Sequence, residues 1–228
     1  MTSGRWLRSA LLAVLVTVLV ASLYGVVSQA SGAKPTRCEQ FRADSVARAG
    51  QVTGNGERVV VIGDSWSAGL GLARPVRSWP SRLPGQVHVA GFSGSGFSAA
   101  ASPCGRVSFA DRAPAVVRGA DLLVVEGGLN DWDRTDAEIR SGFARLMRLV
   151  RAADVPRIVV VGPASAPSRA ANVPHVDALL AQLSRQYGVG YVSTADLDLP
   201  YLGDRLHLTE AGHRVFGDQV ARRIASLR

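Results

Sequence analysis

Arg58-Val59-Val60-Val61-Ile62-Gly63-Asp64-Ser65 decides how the rest of the chain is read. The run Val59–Ile62 is uninterrupted, apolar and β-branched. It has no polar face, so it suits a strand covered on both sides, as in a parallel sheet. Gly63 then permits a tight turn, which places Ser65 at the strand's carboxyl edge. The same apolar pattern returns at Val87–Ala90, Asp121–Glu126, Arg157–Val161 and Gly190–Val192. Helical spacing falls between the later runs. Asp133–Ala153 carries Ile139, Phe143, Leu146, Leu149 and Val150, and Val176–Tyr187 carries Leu179, Leu180 and Leu183. Thr209–Leu227 carries Val215, Phe216, Val220 and Ile224, with Thr209 placed as its cap and Glu210 in its first turn. A short helix is expected near Glu39–Ala49. Strands alternating with helices imply an α/β/α sandwich around a parallel sheet of about five strands. In that architecture sites form where loops leave the carboxyl ends of strands. The long stretches Phe92–Arg118 and Gly162–His175, rich in Gly, Ala, Ser and Pro, read as loops at that edge.

The chain has 228 residues, 47% hydrophobic and 19% charged, a globular composition. Its net charge of +8 comes almost wholly from arginine. The arginines are scattered, with no basic run and no aromatic–basic motif, so a nucleic-acid partner is not expected. The N-terminus has a separate character. Arg5 and Arg8 precede a charge-free apolar run, Ala10–Val27, and small residues follow through Ala33. This is the layout of an export signal, either cleaved or kept as an anchor. Residues 1–33 are accordingly read as signal peptide or signal anchor, 34–56 as a linker arm and 57–228 as the α/β domain. The body is expected outside the cytoplasm, touching a membrane only through the N-terminal segment. Cys38 and Cys104 are an even pair, which in an oxidising compartment fits a disulfide; two free thiols are the alternative.

Four short motifs carry polar chemistry. Gly63-Asp64-Ser65-Trp66 follows the first strand and offers a hydroxyl nucleophile, which needs a base to activate it. Gly91-Phe92-Ser93-Gly94 follows the second; a glycine there lets a backbone N–H face a developing oxyanion. Gly128-Leu129-Asn130-Asp131 follows the third, and the Asn130 amide can donate to the same oxygen. Asp204-Arg205-Leu206-His207 precedes the last helix. A carboxylate three residues before a histidine can hold Nδ1 and leave Nε2 to accept a proton. Each motif alone is equally an ordinary turn.

Together, and in this order, they resemble the GDSL/SGNH hydrolase family. The resemblance runs from Arg58 to the C-terminus and implies a flavodoxin-like fold. It matches Ser65 to the nucleophile, Asp204 and His207 to its triad partners, and the Ser65 N–H, Gly94 and Asn130 to the oxyanion hole. It implies two-step acyl transfer on a small-molecule or polysaccharide ester, with no metal or organic cofactor. The chain departs from the family pattern in having Trp66 where Leu is usual and Val89 where Asn is frequent. Trp66 and Trp132 adjoin catalytic blocks and could line the substrate pocket or simply pack in the core. Asp131, Asp133 and Asp136 read as the charged start of the Asp133 helix rather than as metal ligands. His213 reads as a helix-surface residue. Ester hydrolysis on a short acyl or polysaccharide O-acetyl group is the leading reading. An O-acyltransferase with a separate membrane partner and a non-catalytic carbohydrate-binding domain are the alternatives.

Overall fold

The computed structural model describes residues 35–227. The N-terminal signal or anchor segment expected over residues 1–33 lies outside them. Helix α1 (Arg37–Ala49) opens on a reciprocal cap, in which the Thr36 hydroxyl and N–H donate to Glu39 and the Glu39 N–H returns to Thr36. The body is built on five strands: β1 (Arg58–Gly63), β2 (Gln86–Gly91), β3 (Leu122–Glu126), β4 (Ile158–Val161) and β5 (Gly190–Val192). All pair in parallel in the order β2-β1-β3-β4-β5, the flavodoxin-like arrangement.

The apolar β1 run divides between two cores, as its period of two requires. Val59 and Val61 face a cluster with Trp66, Trp79, Phe216, Val220 and Ile224. Val60 and Ile62 face another with Phe109, Ile139, Phe143, Leu146 and Leu180. Helices therefore cover both faces. On the second face lie α3 (Phe109–Val116), α4 (Asp136–Arg151) and α5 (Val173–Tyr187). On the first lies α6 (Glu210–Ser226), beside the one-turn helix α2 (Ser65–Ala68). Helix α4 shows why the spacing was legible. Ile139, Phe143, Leu146, Met147 and Val150 make one buried stripe, and Thr135 and Glu138 cap its start reciprocally.

Helix α3 lies within the Phe92–Arg118 stretch read as loop. Pro114 inside it breaks the helical pattern, yet a Ser108–Asp111 capping box nucleates it and Phe109, Ala110 and Ala113 bury its inner face. Helix α5 begins at Val173, earlier than the spacing showed, because Pro174 sits in its first turn, where a missing N–H is harmless. Cys38 and Cys104 are both disulfide-bonded, and no described cysteine is a free thiol. No described helix is long and apolar enough to cross a membrane.

Phe143 is fully buried, stacked 5.5 Å from Phe97 and tilted against Tyr187. Phe143→Ala leaves a cavity in rigid surroundings and should cost about 3–5 kcal/mol, read as a lower midpoint in urea unfolding with an unchanged slope.

Candidate active site

Ser65 opens α2 directly after β1. Gly63 has to be glycine, because a Cβ there would stand 2.7 Å from the Glu126 carboxylate. Asp64 caps the turn, its Oδ1 accepting the Trp66 N–H at 2.9 Å. The Ser65 hydroxyl stands 3.1 Å from His207 Nε2, and His207 Nδ1 lies 2.5 Å from Asp204 Oδ2. Ser65 and His207 stand 142 positions apart in the chain and are brought together by the fold. Asp204 also binds the Leu206 and His207 N–H groups through Oδ1, which folds its loop into an Asx turn. Partial burial raises the Asp204 carboxyl, but these bonds outweigh it and hold the group down at about 2. It is therefore an anion at neutral pH, able to orient His207 and to stabilise an imidazolium.

The expected oxyanion groups converge on the same edge. Ser95 N–H closes a turn on Phe92 at 3.1 Å, with Gly94 at φ +80°, the left-handed value that favours glycine. Among the described residues the N–H groups of Ser65 and Gly94 have no acceptor. The Asn130 amide donates to Asp64 Oδ2 at 3.2 Å and to Ser95 O at 3.0 Å. Asn130 thus stands beside the serine turn and the Gly94 loop at once.

Beneath these groups lies a buried polar layer. Glu126 ends β3 and accepts from the Ser67 hydroxyl at 2.7 Å and from Trp79 Nε1 at 3.4 Å. Arg112, from α3, donates to Gly63 O, Ser95 Oγ and Ala90 O. Asp131 accepts the Phe97 and Ser98 N–H groups at 3.0 and 2.8 Å, tying the Asn130 turn to the Gly94 loop. Burial pushes Glu126 and Asp131 up to about 7. Burial, and then the charge of Glu126, also pushes Asp64 well above the carboxylate range. Burial lowers Arg112 to about 10 against the pull of Asp64, Asp111 and Glu126.

The model of the GDSL-like lipase/acylhydrolase family matches residues 61–215, a span that contains all four motifs. The chain belongs to that family. It is an ester-bond hydrolase with the α/β fold of its relatives. A carbohydrate acetylesterase from Sinorhizobium meliloti superposes with a TM-score of 0.62 at 21% identity, covering 76% of this chain and all of that one. An aryl esterase from M. smegmatis gives 0.60 at 20%, with the same coverages. A putative lipolytic protein of the G-D-S-L family from Desulfitobacterium hafniense gives 0.61 at 12%, covering 74% of this chain and 99% of that one. At these identities the likeness is one of fold. No curated protein matches the chain.

In this GDSL-family chain two sequence expectations change, for His213 and Asp131, and the open reading of Trp66 falls to the core. Trp66 is buried against Phe216 and Tyr201, its Nε1 donating to Leu206 O, so it is core and a brace for the His207 loop. Trp132 stays exposed. His213 is not on the helix surface. It is fully buried, faces the Trp79 N–H at 3.4 Å and is lowered by burial to about 4. Asp131 does not charge a helix start, since Thr135 caps α4 and Asp131 braces the loop bearing Gly94. No group of residues able to hold a metal occurs among the described residues. Sequence reasoning passed over Glu126 and Arg112. An acid closing a buried apolar strand was a signal for Glu126; Arg112 had none, because its helix was read as loop.

Glu126 and Asp131 have a consequence for stability. A carboxyl raised in the folded state keeps a proton that the unfolded chain has lost. Its contribution is full below the unfolded carboxylate range and disappears as pH rises through about 7. Between about pH 5 and about pH 8 these groups should lower the melting temperature as pH rises. Glu126→Gln, neutral throughout, should show a shallower fall in circular-dichroism melts; an identical slope would mean that Glu126 is already ionised in the fold.

Proposed function

We propose that the protein is an exported esterase that removes short acyl groups, acetyl above all, from carbohydrate esters, with Ser65, His207 and Asp204 as its catalytic triad. The observation that carries this reading is the continuous line Ser65 Oγ–His207 Nε2–His207 Nδ1–Asp204 Oδ2, with both contacts at hydrogen-bond distance. His207 takes the Ser65 proton as the hydroxyl attacks the ester carbonyl. The oxyanion is met by the Ser65 and Gly94 N–H groups and by the Asn130 amide. Asn130 frees a hydrogen for it by sharing its longer, 3.2 Å bond to Asp64. His207 then protonates the leaving alcohol, and water, deprotonated by the same ring, releases the acid from Ser65.

Two features support the narrower reading. The Asp204 side chain is half exposed, so the triad lies near the surface and favours a soluble alcohol portion. A carbohydrate acetylesterase is among the proteins that share the fold. Export is supported by the disulfide-bonded cysteines and by the basic, apolar, then small-residue order of the N-terminus.

Residues 34–228 should hydrolyse p-nitrophenyl acetate faster than the palmitate, and Ser65→Ala should abolish both activities and labelling by a fluorophosphonate. Folded protein that neither turns over an ester nor labels would refute the triad. Labelling without turnover would instead point to an acyl acceptor other than water. Asn130→Ala should lower kcat by about 10²–10³ with little change in KM, since its amide acts on charge that develops during the reaction.

A further inference from the structure

Among the described residues, Trp132 is the only large aromatic side chain left exposed, at 40%. Trp66 and Trp79 are both buried. An exposed indole is ordinarily mobile, but this one is held. The Arg169 guanidinium lies 4.7 Å from its ring centroid, and Arg169 Nη1 is itself anchored to Leu129 O at 2.7 Å. The Trp132 carbonyl accepts from the Asn172 amide at 3.0 Å. One face of the ring is backed by a fixed cation, so little side-chain freedom remains to be lost on binding.

The position is as specific as the support. Trp132 directly follows the Leu129–Asp131 turn that carries Asn130. Arg169 lies within the field of the Asp64 carboxylate, next to Ser65 in the chain. The loop that bears Arg169 also donates from Ser168 N–H to Arg205 O at 3.0 Å, two residues before His207. The same loop therefore borders the oxyanion turn on one side and the histidine loop on the other.

We propose that Trp132, backed by Arg169, is a platform for the sugar ring on the alcohol side of the ester. The proposal rests on the esterase reading of Ser65. A pyranose presents an apolar C–H face to stack on an indole and a rim of hydroxyls that need partners. The surroundings of Trp132 supply such partners: Arg169, the Asn172 amide, and Asp133 and Arg134, which pair at 2.6 Å. An alkyl or aryl alcohol could cover the ring but has no hydroxyls to offer that polar rim. Arg169 is a positioning residue in this arrangement, since it acts through the ring.

The test compares acetate release from methyl 6-O-acetyl-glucopyranoside and from ethyl acetate in wild type, Trp132→Ala and Trp132→Tyr. The alanine variant should lose about tenfold in kcat/KM on the sugar acetate relative to ethyl acetate, mostly in KM. The tyrosine variant, which keeps an aromatic face, should recover most of the ratio. An equal fall on both esters, no fall, or a larger fall on phenyl acetate than on the sugar acetate overturns the platform. A second measurement needs no turnover: in the Ser65→Ala background, cellotetraose should quench tryptophan fluorescence saturably, and adding Trp132→Ala should remove that binding. Sugar binding at Trp132 in a wild-type protein that cleaves no ester would sink the triad and keep the platform; ester cleavage with no dependence on Trp132 would do the reverse.

Discussion

Asp64 is the joint on which the site turns. One carboxylate oxygen holds the Trp66 N–H and so fixes the start of the helix that presents Ser65. The other accepts the Asn130 amide. Two chain segments far apart in sequence are thereby set against each other through a single buried group. The group can sit there only because Gly63 leaves room above Glu126 and because Arg112 reaches in from α3 with a compensating charge. Without that guanidinium, three buried carboxyls would meet under one strand edge with only N–H and O–H donors to answer them.

This layer stabilises the site's geometry more than the fold. Burial opposes the charged forms of Asp64, Glu126 and Asp131, so holding them there costs free energy at neutral pH. What it secures is position. Asp131 fixes the Gly94 loop to the Asn130 turn, and Ser67 and Trp79 close on Glu126 behind the serine. The Ser65–His207–Asp204 line is lightly built: Asp204 is half exposed, and its hold on His207 comes from a local Asx turn rather than from burial. A buried polar layer under Asn130 faces an open His207 side.

Much of this was legible in the chain. A strand buried on both faces must read as a continuous apolar run, and the inner strands β1, β3 and β4 did so; the edge strands β2, which alternates around His88, and β5 are covered less fully, yet all five were placed within a residue or two at their ends. The long amphipathic helices showed their stripes for the same reason. Helix α3 did not, because its eight residues contain a proline and draw their stability from a cap and a core contact rather than from a periodic pattern. His213 looked like a surface residue because its exposure is set by Trp79 and the turn around it, which pack on that part of α6 from elsewhere in the chain.

The sequence by itself determined the parallel α/β architecture, the four polar blocks and their order. Hydrophobic periodicity and turn residues act over a few neighbouring positions and leave local marks. Tertiary structure alone decided that Ser65 and His207 meet across 142 residues, that Trp66 is core while Trp132 stays exposed, and that Glu126, Asp131 and Arg112 form the layer under the site. Those outcomes depend on which distant side chains share a buried volume, and on the cost of leaving a polar group there without a partner.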